Sequence, residues 1–326
     1  MNKATFMVSE NTLETKIKSK YGFLNAECKL MSNYRNTLYE VRYYSAKYVF
    51  KIYDRRTRML EEIEGEVELL KALNKRGASI SFPINDEDGN YIQQFKTAEG
   101  LSYGVLFTFA EGEICLKMTD KQLVILGQEL AKFHNITSSL ELQHKFKEYT
   151  LKKLMIYPVK DLQPAFSELP EDYKYLQEIN FIVIRNLAKL NLSRFDFGYV
   201  HGDLNPGNIH FQGDNRLTIF DFDLAAKGFL IHDIVGIYLH FFNLIRSGEA
   251  TAEEASRSYT VFFDSYLEIR PLTDSEIDAL PFMAAALLIY GIYFGYTHMD
   301  KTRFSKYLDE NIKRLKDWTS SPMFQQ

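Results

Sequence analysis

Residues 201–211, HGDLNPGNIHF, constrain this chain more than any other stretch. Gly202 and Gly207 favour tight turns, and Pro206 cannot sit inside a regular ladder. The segment reads as an irregular loop, yet FDFGYV leads into it and NIHF opens an apolar run behind it, so it is held between strands. Its polar residues are spaced for chemistry. Asp203 and Asn208 share the loop, and Asp221 follows the next strand pair, which turns at GDN (213–215). A hairpin of that length returns the chain and sets Asp221 beside Asn208. An amide oxygen and a carboxylate converging on one point make a hard-cation site of the kind Mg²⁺ shares with phosphates. Asp203, near but separate, is placed to orient or deprotonate an attacking hydroxyl.

The rest of the chain sorts into two parts. AECKLM, TLYEVRYY, KYVFKIYD and SYGVLFTFA read as short strands. Between the third and fourth, RMLEEIEGEVELLKALNKRG places Ile63, Val67, Leu70 and Leu73 at helical spacing, with Gly77 just past the end. After residue 113 helices dominate: TDKQLVILGQELAKFHNIT behind a Thr119 or Asp120 cap, PEDYKYLQEINFIVIRNLAKLNLSR, then residues 229–246, 251–268 and 274–318. The expected fold class is α+β, a small antiparallel sheet with one main helix followed by a larger helical part. The expected boundaries are 1–107, a connection at 108–113, and 114–326. At 326 residues and 46% hydrophobic content, the chain fills cores of that size.

Composition removes several functions. The 39 basic and 43 acidic residues leave a net charge of −4, so neither nucleic acid nor an anionic membrane is an expected partner. Cys28 and Cys115 lie far apart without CxxC spacing, which fits a reducing, cytoplasmic setting and supports neither a disulfide framework nor a zinc site. The N-terminus lacks the apolar run of a signal peptide. IVGIYLHFFNLI (234–245) and PFMAAALLIYGIYFGY (281–296) fall short of the ~18–20 residues of a membrane span and read as core helices.

HGDLNPGN followed by IFDFD resembles the catalytic segment H-G-D-x-x-x-x-N and the distal metal-binding aspartate of the aminoglycoside phosphotransferase/choline kinase superfamily, which includes homoserine-kinase-like and stress-response-kinase-like branches. The resemblance implies a two-lobed protein-kinase-like fold, with 1–107 as the nucleotide-binding lobe, and γ-phosphate transfer from ATP with Mg²⁺. It makes Asp203 the catalytic aspartate and Asn208 and Asp221 the metal ligands, with Asp223 a secondary candidate. Lys51 in YVFKIYD matches the family's phosphate-gripping lysine, and Glu66 its helix partner ahead of Glu62 and Glu68. The connection FTFAEG then acts as a hinge, offering adenine the carbonyl of Thr108 and the amide of Ala110.

The chain departs from the family at one place. No glycine occurs between Gly22 and Gly65, where the phosphate-covering strand pair usually carries one. Ser32, Asn33 and Asn36 are left to make the turn, Ser32 with a hydroxyl for phosphate. His201 reads as orienting the loop, His134 as packed, and Asp233 as capping its helix and bracing the loop. DRRTR (54–58) reads as a solvated loop. Tyr290, Tyr293, Phe294 and Tyr296 read as packed core, or alternatively as an aromatic wall for a cationic acceptor, a reading compatible with the acidic excess after residue 241.

The resulting expectation is an ATP- and Mg²⁺-dependent kinase acting on a hydroxyl of a small molecule, such as an aminoglycoside or amino alcohol. A stress-response-type protein Ser/Thr kinase is the alternative, since IFDFDLAAKGFLIHDI also resembles that branch, although no APE-type segment follows Asp221. A non-catalytic nucleotide-binding scaffold is disfavoured, because Lys51, Asp203, Asn208 and Asp221 are all present. Neither the acceptor nor the oligomeric state is legible.

Overall fold

The first described element is a helix rather than a strand, because Ser9 takes the amide of Thr12 on its side chain and Leu13 and Ile17 repeat at helical spacing. The computed structural model describes residues 8–97 and 100–325. In chain order the elements are α1 (Glu10–Tyr21), β1 (Glu27–Ser32), β2 (Thr37–Tyr43), β3 (Ala46–Ile52), α2 (Leu60–Lys75), β4 (Pro83–Ile84), β5 (Ile92–Thr97) and β6 (Gly100–Thr108). There follow α3 (Asp120–Thr137), α4 (Tyr157–Asp161), α5 (Pro170–Leu187), β7 (Phe197–Val200), β8 (Ile209–Gln212), β9 (Arg216–Ile219) and β10 (Ala226–Phe229). The chain ends in α6 (Ile231–Ser247), α7 (Ala252–Leu267), α8 (Asp274–His298), α9 (Lys301–Thr319) and α10 (Pro322–Gln325).

Two compact units result. One contains the chain up to Ile114 with Glu141–Phe146 and Ile209–Asp223; the other contains Cys115–Leu140, Lys147–Asn208 and Leu224 onward. In the first, antiparallel strands run in the order β1-β2-β3-β6-β4, with β5 on β6. Leu13 and Ile17 of α1 join Tyr39, Val41, Phe50 and Leu106 in its core. Alternation along β3 sends Phe50 into that core and Lys51 to the opposite face, where Lys51 pairs across to Leu38 and Val105. Lys51 is nonetheless only 5% exposed. The β8–β9 hairpin turns where GDN stands and pairs Ile209 with Ile219 at its open end. α2 closes at Arg76, with Gly77 left-handed at φ 79°.

In the second unit α3 packs on α7, and α8 packs on α5, α6 and α9. Thr119, not Asp120, caps α3, and Gln122 completes the capping box. The helical run expected over 274–318 is two helices, because the chain leaves helical geometry at Met299 and Asp300 restarts it by capping the amide of Arg303. The expectation that 281–296 is too short to span a membrane needs correction. α8 is 25 residues and apolar enough to cross one by length and composition. Packing decides its character: half of its most apolar window is buried, and α4, α5, α6, α9 and α10 lie against it. Trp318 of α9, fully buried, donates its indole N–H to the Pro281 carbonyl inside α8 at 3.1 Å. Trp318→Ala is expected to cost about 3–5 kcal/mol in denaturant unfolding, and Trp318→Phe distinctly less, since the ring volume is largely kept.

Candidate active site

β3, α2 and the end of the β8–β9 hairpin deliver one charged cluster in the first unit. The Lys51 ammonium lies 2.5 Å from Asp223 Oδ1, 3.2 Å from Asp221 Oδ1 and 3.4 Å from Glu66 Oε1. Tyr53 donates its hydroxyl to Glu66 Oε1 at 3.1 Å, and its ring lies 4.9 Å from the ammonium. Burial alone would lower the Lys51 pKa; Asp223 and then Glu66 reverse this and hold it well above the ordinary lysine value. Burial likewise opposes the Asp223 charge, but Lys51 and Arg58 keep its carboxyl below the usual carboxylate range. Lys51 stays a cation.

Of the three glutamates weighed from the sequence, Glu66 alone reaches Lys51. Glu62 accepts the Met59 amide at the helix start, and Glu68 turns to the amides of Gln143 and His144 and to the His144 ring. The expectation of a solvated DRRTR loop holds for Arg55, Arg56 and Thr57, which are exposed, but fails for Arg58. Its side chain is 10% exposed, pairs with Glu66 and donates to the Asp223 carbonyl at 3.0 Å. Its burial had no periodic signal, since it lies in a loop.

The glycine-free turn after β1 makes the expected bend without a glycine. Among the described residues, positive φ outside glycine occurs only at Tyr44 and Asp221, so residues 33–36 use no left-handed backbone. Ser32 lies at a register shift in β1, and its hydroxyl accepts the Tyr34 amide at 3.4 Å. Asn36 is the residue the cluster holds: it donates to Asp223 Oδ2 at 2.5 Å and accepts the Asp54 amide at 3.1 Å. At the connection, the Thr108 carbonyl accepts the Ser81 hydroxyl at 2.7 Å, and the Ala110 carbonyl meets His210 Nδ1 at 2.6 Å.

In the second unit a buried carboxylate organises the HGD loop. Asp233 accepts the amides of His201 at 2.7 Å and Gly202 at 3.0 Å. His134 Nε2 lies 3.3 Å from the same carboxylate, and its Nδ1 lies 2.8 Å from the Tyr266 hydroxyl. Burial lowers the His134 pKa, so the neutral ring donates from Nε2 and accepts at Nδ1. Burial disfavours the Asp233 charge, but the His134 hydrogen bond holds its pKa below the ordinary value. Asp233 therefore braces the loop as expected, but it does not cap α6, whose cap position is Leu230; Asp233 is the third helical residue. His201 Nδ1 faces the Asp203 amide at 3.3 Å. Gly202 holds φ 82°, and a Cβ there would stand 2.2 Å from the Leu224 carbonyl; a Cβ on Gly236 would stand 2.1 Å from that of Leu204. The loop is pressed onto α6 through that glycine.

The braced loop exposes Asp203. Its carboxylate accepts Asn205 Nδ2 on Oδ1 and Asn208 Nδ2 on Oδ2, each at 3.2 Å. Asn208 immediately precedes β8, and Asp221 follows β9 by two residues. Asp221 adopts φ 64°, and its side chain is 49% exposed. Among the described residues no group of three His, Cys, Asp or Glu side chains is arranged to hold a metal ion by itself. Asp221 offers a carboxylate and Asn208 an amide oxygen, hard donors of the kind that Mg²⁺ takes alongside phosphate and water.

Sequence reading missed Tyr149, which lies in an irregular segment after the Glu148–Lys227 bridge. Its ring stacks on His232 at 4.8 Å and meets Tyr290 edge-on at 5.6 Å, while His232 Nε2 lies 3.3 Å from the Gly202 carbonyl. Tyr293 lies beside Tyr290 at 6.2 Å. Phe294 instead stacks on His298, and Tyr296 packs on Phe304.

A buried lysine–glutamate pair under an antiparallel sheet and an aspartate offered by a braced loop on a helical unit are the parts of a phosphoryl-transfer fold. The model of the phosphotransferase enzyme family (APH) matches residues 28–272, and the chain belongs to that family of kinases. The amicoumacin kinase of Bacillus subtilis (strain 168) is 23% identical over 287 residues, 84% of this chain and 82% of that protein. The solved structure of amicoumacin kinase hAmiN in complex with AMP-PNP, Ca²⁺ and Ami aligns with a TM-score of 0.78 at 20% identity, covering 98% of this chain and 97% of that one. A microcompartment-associated aminopropanol kinase aligns at 0.74 and 16% identity, over 94% and 95%. The fold is protein-kinase-like, as the loop motif implied.

Asp233 supplies a pH-dependent test of the brace. Its folded pKa lies below the unfolded ~3.9, so its contribution is full above that value and is lost as the pH falls through the folded one. Asp233→Asn is expected to lower stability at pH 7 by on the order of 3 kcal/mol. In urea unfolding series the gap to the parent protein should close as the pH drops below about 4; a gap unchanged down to pH 2 would refute the assignment.

Proposed function

We propose that this enzyme transfers the γ-phosphoryl group of ATP, with Mg²⁺, to a hydroxyl of a small amino alcohol or aminoglycoside-like acceptor. The observation that carries the reading is the buried Lys51 cation set among Glu66, Asp221 and Asp223. Lys51 releases part of that contact to grip phosphate oxygens, and Glu66 keeps its stem aligned. The hinge backbone receives adenine at Ala110 and at the Thr108 carbonyl, whose second lone pair is left beside the one that accepts Ser81; Ser32 and Asn36 lie in the phosphate-covering turn. Asp221 and Asn208 hold Mg²⁺, which when bound offsets the negative charge of the phosphates. Asp203, oriented by Asn205 and Asn208, accepts the proton of the acceptor hydroxyl as its oxygen bonds to phosphorus and the bond to ADP breaks.

Two relatives are named for substrates that join an amine to an alcohol, aminopropanol kinase and homoserine kinase. Tyr290, half-buried and set edge-on against the buried Tyr149 that stacks on His232, suits the ammonium of such an acceptor through cation–π contact. A coupled assay with ATP·Mg²⁺ against amino alcohols, homoserine and aminoglycosides tests the reading. Asp203→Asn is expected to retain nucleotide binding and lower kcat by roughly 10²–10⁴. Turnover by that variant at the parent rate, or phosphate transfer to protein alone, would overturn it. Tyr290→Ala is expected to raise the acceptor KM by about tenfold, the worth of one cation–π contact, and to leave that for ATP in place.

A further inference from the structure

One charged side chain of the cluster has no place in the scheme above. Arg58 stands in the loop between β3 and α2, two residues before the helix, and of the three arginines there it alone turns inward. The two arms of its guanidinium reach different elements: Nη2 pairs with Glu66 Oε2 in α2, and Nη1 donates to the backbone carbonyl of Asp223 after β9 at 3.0 Å. Glu66 thus has three partners, Arg58 on one oxygen and Tyr53 and Lys51 on the other. Lys51 lies nearer to Asp223, at 2.5 Å, than to Glu66, at 3.4 Å. Glu66 therefore does not need Lys51 to stay in place.

We propose that Arg58 is a positioning residue that clamps α2 to the Asp221–Asp223 turn, so that Lys51 can leave its carboxylates for phosphate while Asp221 keeps its place. The role rests on the phosphotransferase reading. Its physical basis is charge and geometry together. Lys51 pairs with the carboxylates of Glu66, Asp221 and Asp223 and Arg58 with that of Glu66, while the Arg35 charge also acts on Asp223. Removing Arg58 takes one positive charge from among these acids, binds Lys51 more tightly to them and repels incoming phosphates. It also frees the Asp223 backbone, two residues from Asp221. A lysine in its place restores the charge but not the bridge, because one ammonium does not span two acceptors as a planar fork does.

The test compares the parent protein with Arg58→Gln, Arg58→Lys and, as a surface control, Arg56→Gln, since Arg56 is exposed and paired to Asp54. ATP binding is measured by calorimetry across a Mg²⁺ series, and KM for ATP and acceptor in the coupled assay. Arg58→Gln is expected to weaken ATP·Mg²⁺ binding by about 10- to 100-fold, the worth of one charge-assisted hydrogen bond. It should raise the Mg²⁺ concentration at half-saturation and leave the acceptor KM unchanged. Arg58→Lys is expected to melt with the parent yet recover only part of that affinity, and Arg56→Gln to match the parent throughout. Should Arg58→Gln fail to fold, Arg58→Lys decides. Parental ATP affinity and Mg²⁺ midpoint in a folded Arg58 variant would overturn the role, as would a rise confined to the acceptor KM. Absence of ATP·Mg²⁺ binding in the parent protein would instead overturn the phosphotransferase reading itself, and this role with it.

Discussion

A lysine ammonium placed almost out of reach of water is the constraint around which the first unit is built. An isolated buried charge is tolerated only where counter-charges and hydrogen bonds replace its hydration. Lys51 finds them on two other pieces of chain, Glu66 on the helix and Asp221 and Asp223 beyond the hairpin, besides the Tyr53 ring. Sheet, helix and hairpin are therefore fixed relative to one another by electrostatics as well as by apolar packing. A substitution that removes one of these acids cuts the tie between Lys51 and that piece of chain, a costly loss at this depth.

The second unit solves the opposite problem with the opposite means. Asp233 is fully buried without a cation, and its charge rests on two backbone amides and a neutral imidazole N–H. Donors of that kind satisfy a carboxylate without neutralising it. Because both amides belong to residues 201–202, the acid fixes the backbone at the root of the loop, and Gly202 and Gly236 allow the approach that this requires. Asp203 next in the chain is then presented to solvent on a rigid support.

Most of this was legible where chemistry and spacing coincide. The HGD loop, the hairpin turn at 213–215, β1 to β3 and α2 with its Gly77 end follow from patterns that local forces impose, whereas the Lys51–Glu66 pairing was implied by the family resemblance alone. What was not legible depends on contacts distant in sequence. Helix α1 has mostly polar residues, and only Leu13, Ile17 and Tyr21 are buried, so its periodicity is faint. Arg58 reads as one of several loop arginines until Glu66 and the Asp223 carbonyl are brought to it from 8 and 165 residues away. Tyr149 and His232 meet only through tertiary packing. The length of α8 misled for a different reason: 25 apolar-rich residues describe a membrane span and a core helix equally well, and only its neighbours distinguish them.

The missing glycine shows how a family rule can be kept in substance and broken in letter. Glycine is needed in a phosphate-covering turn where the backbone must enter left-handed space or approach a ligand without a Cβ. Residues 33–36 never enter that space, so the first need does not arise. What the turn requires instead is an anchor. Asn36 supplies it by donating to Asp223 and accepting from the Asp54 amide, which ties the turn to the same carboxylate that lies nearest Lys51. The one strained non-glycine backbone in the cluster is at Asp221, where a short acidic side chain tolerates positive φ at modest cost. Left-handed backbone thus falls at Asp221 and not in the turn at 33–36, which is held by hydrogen bonds rather than by the absence of a side chain.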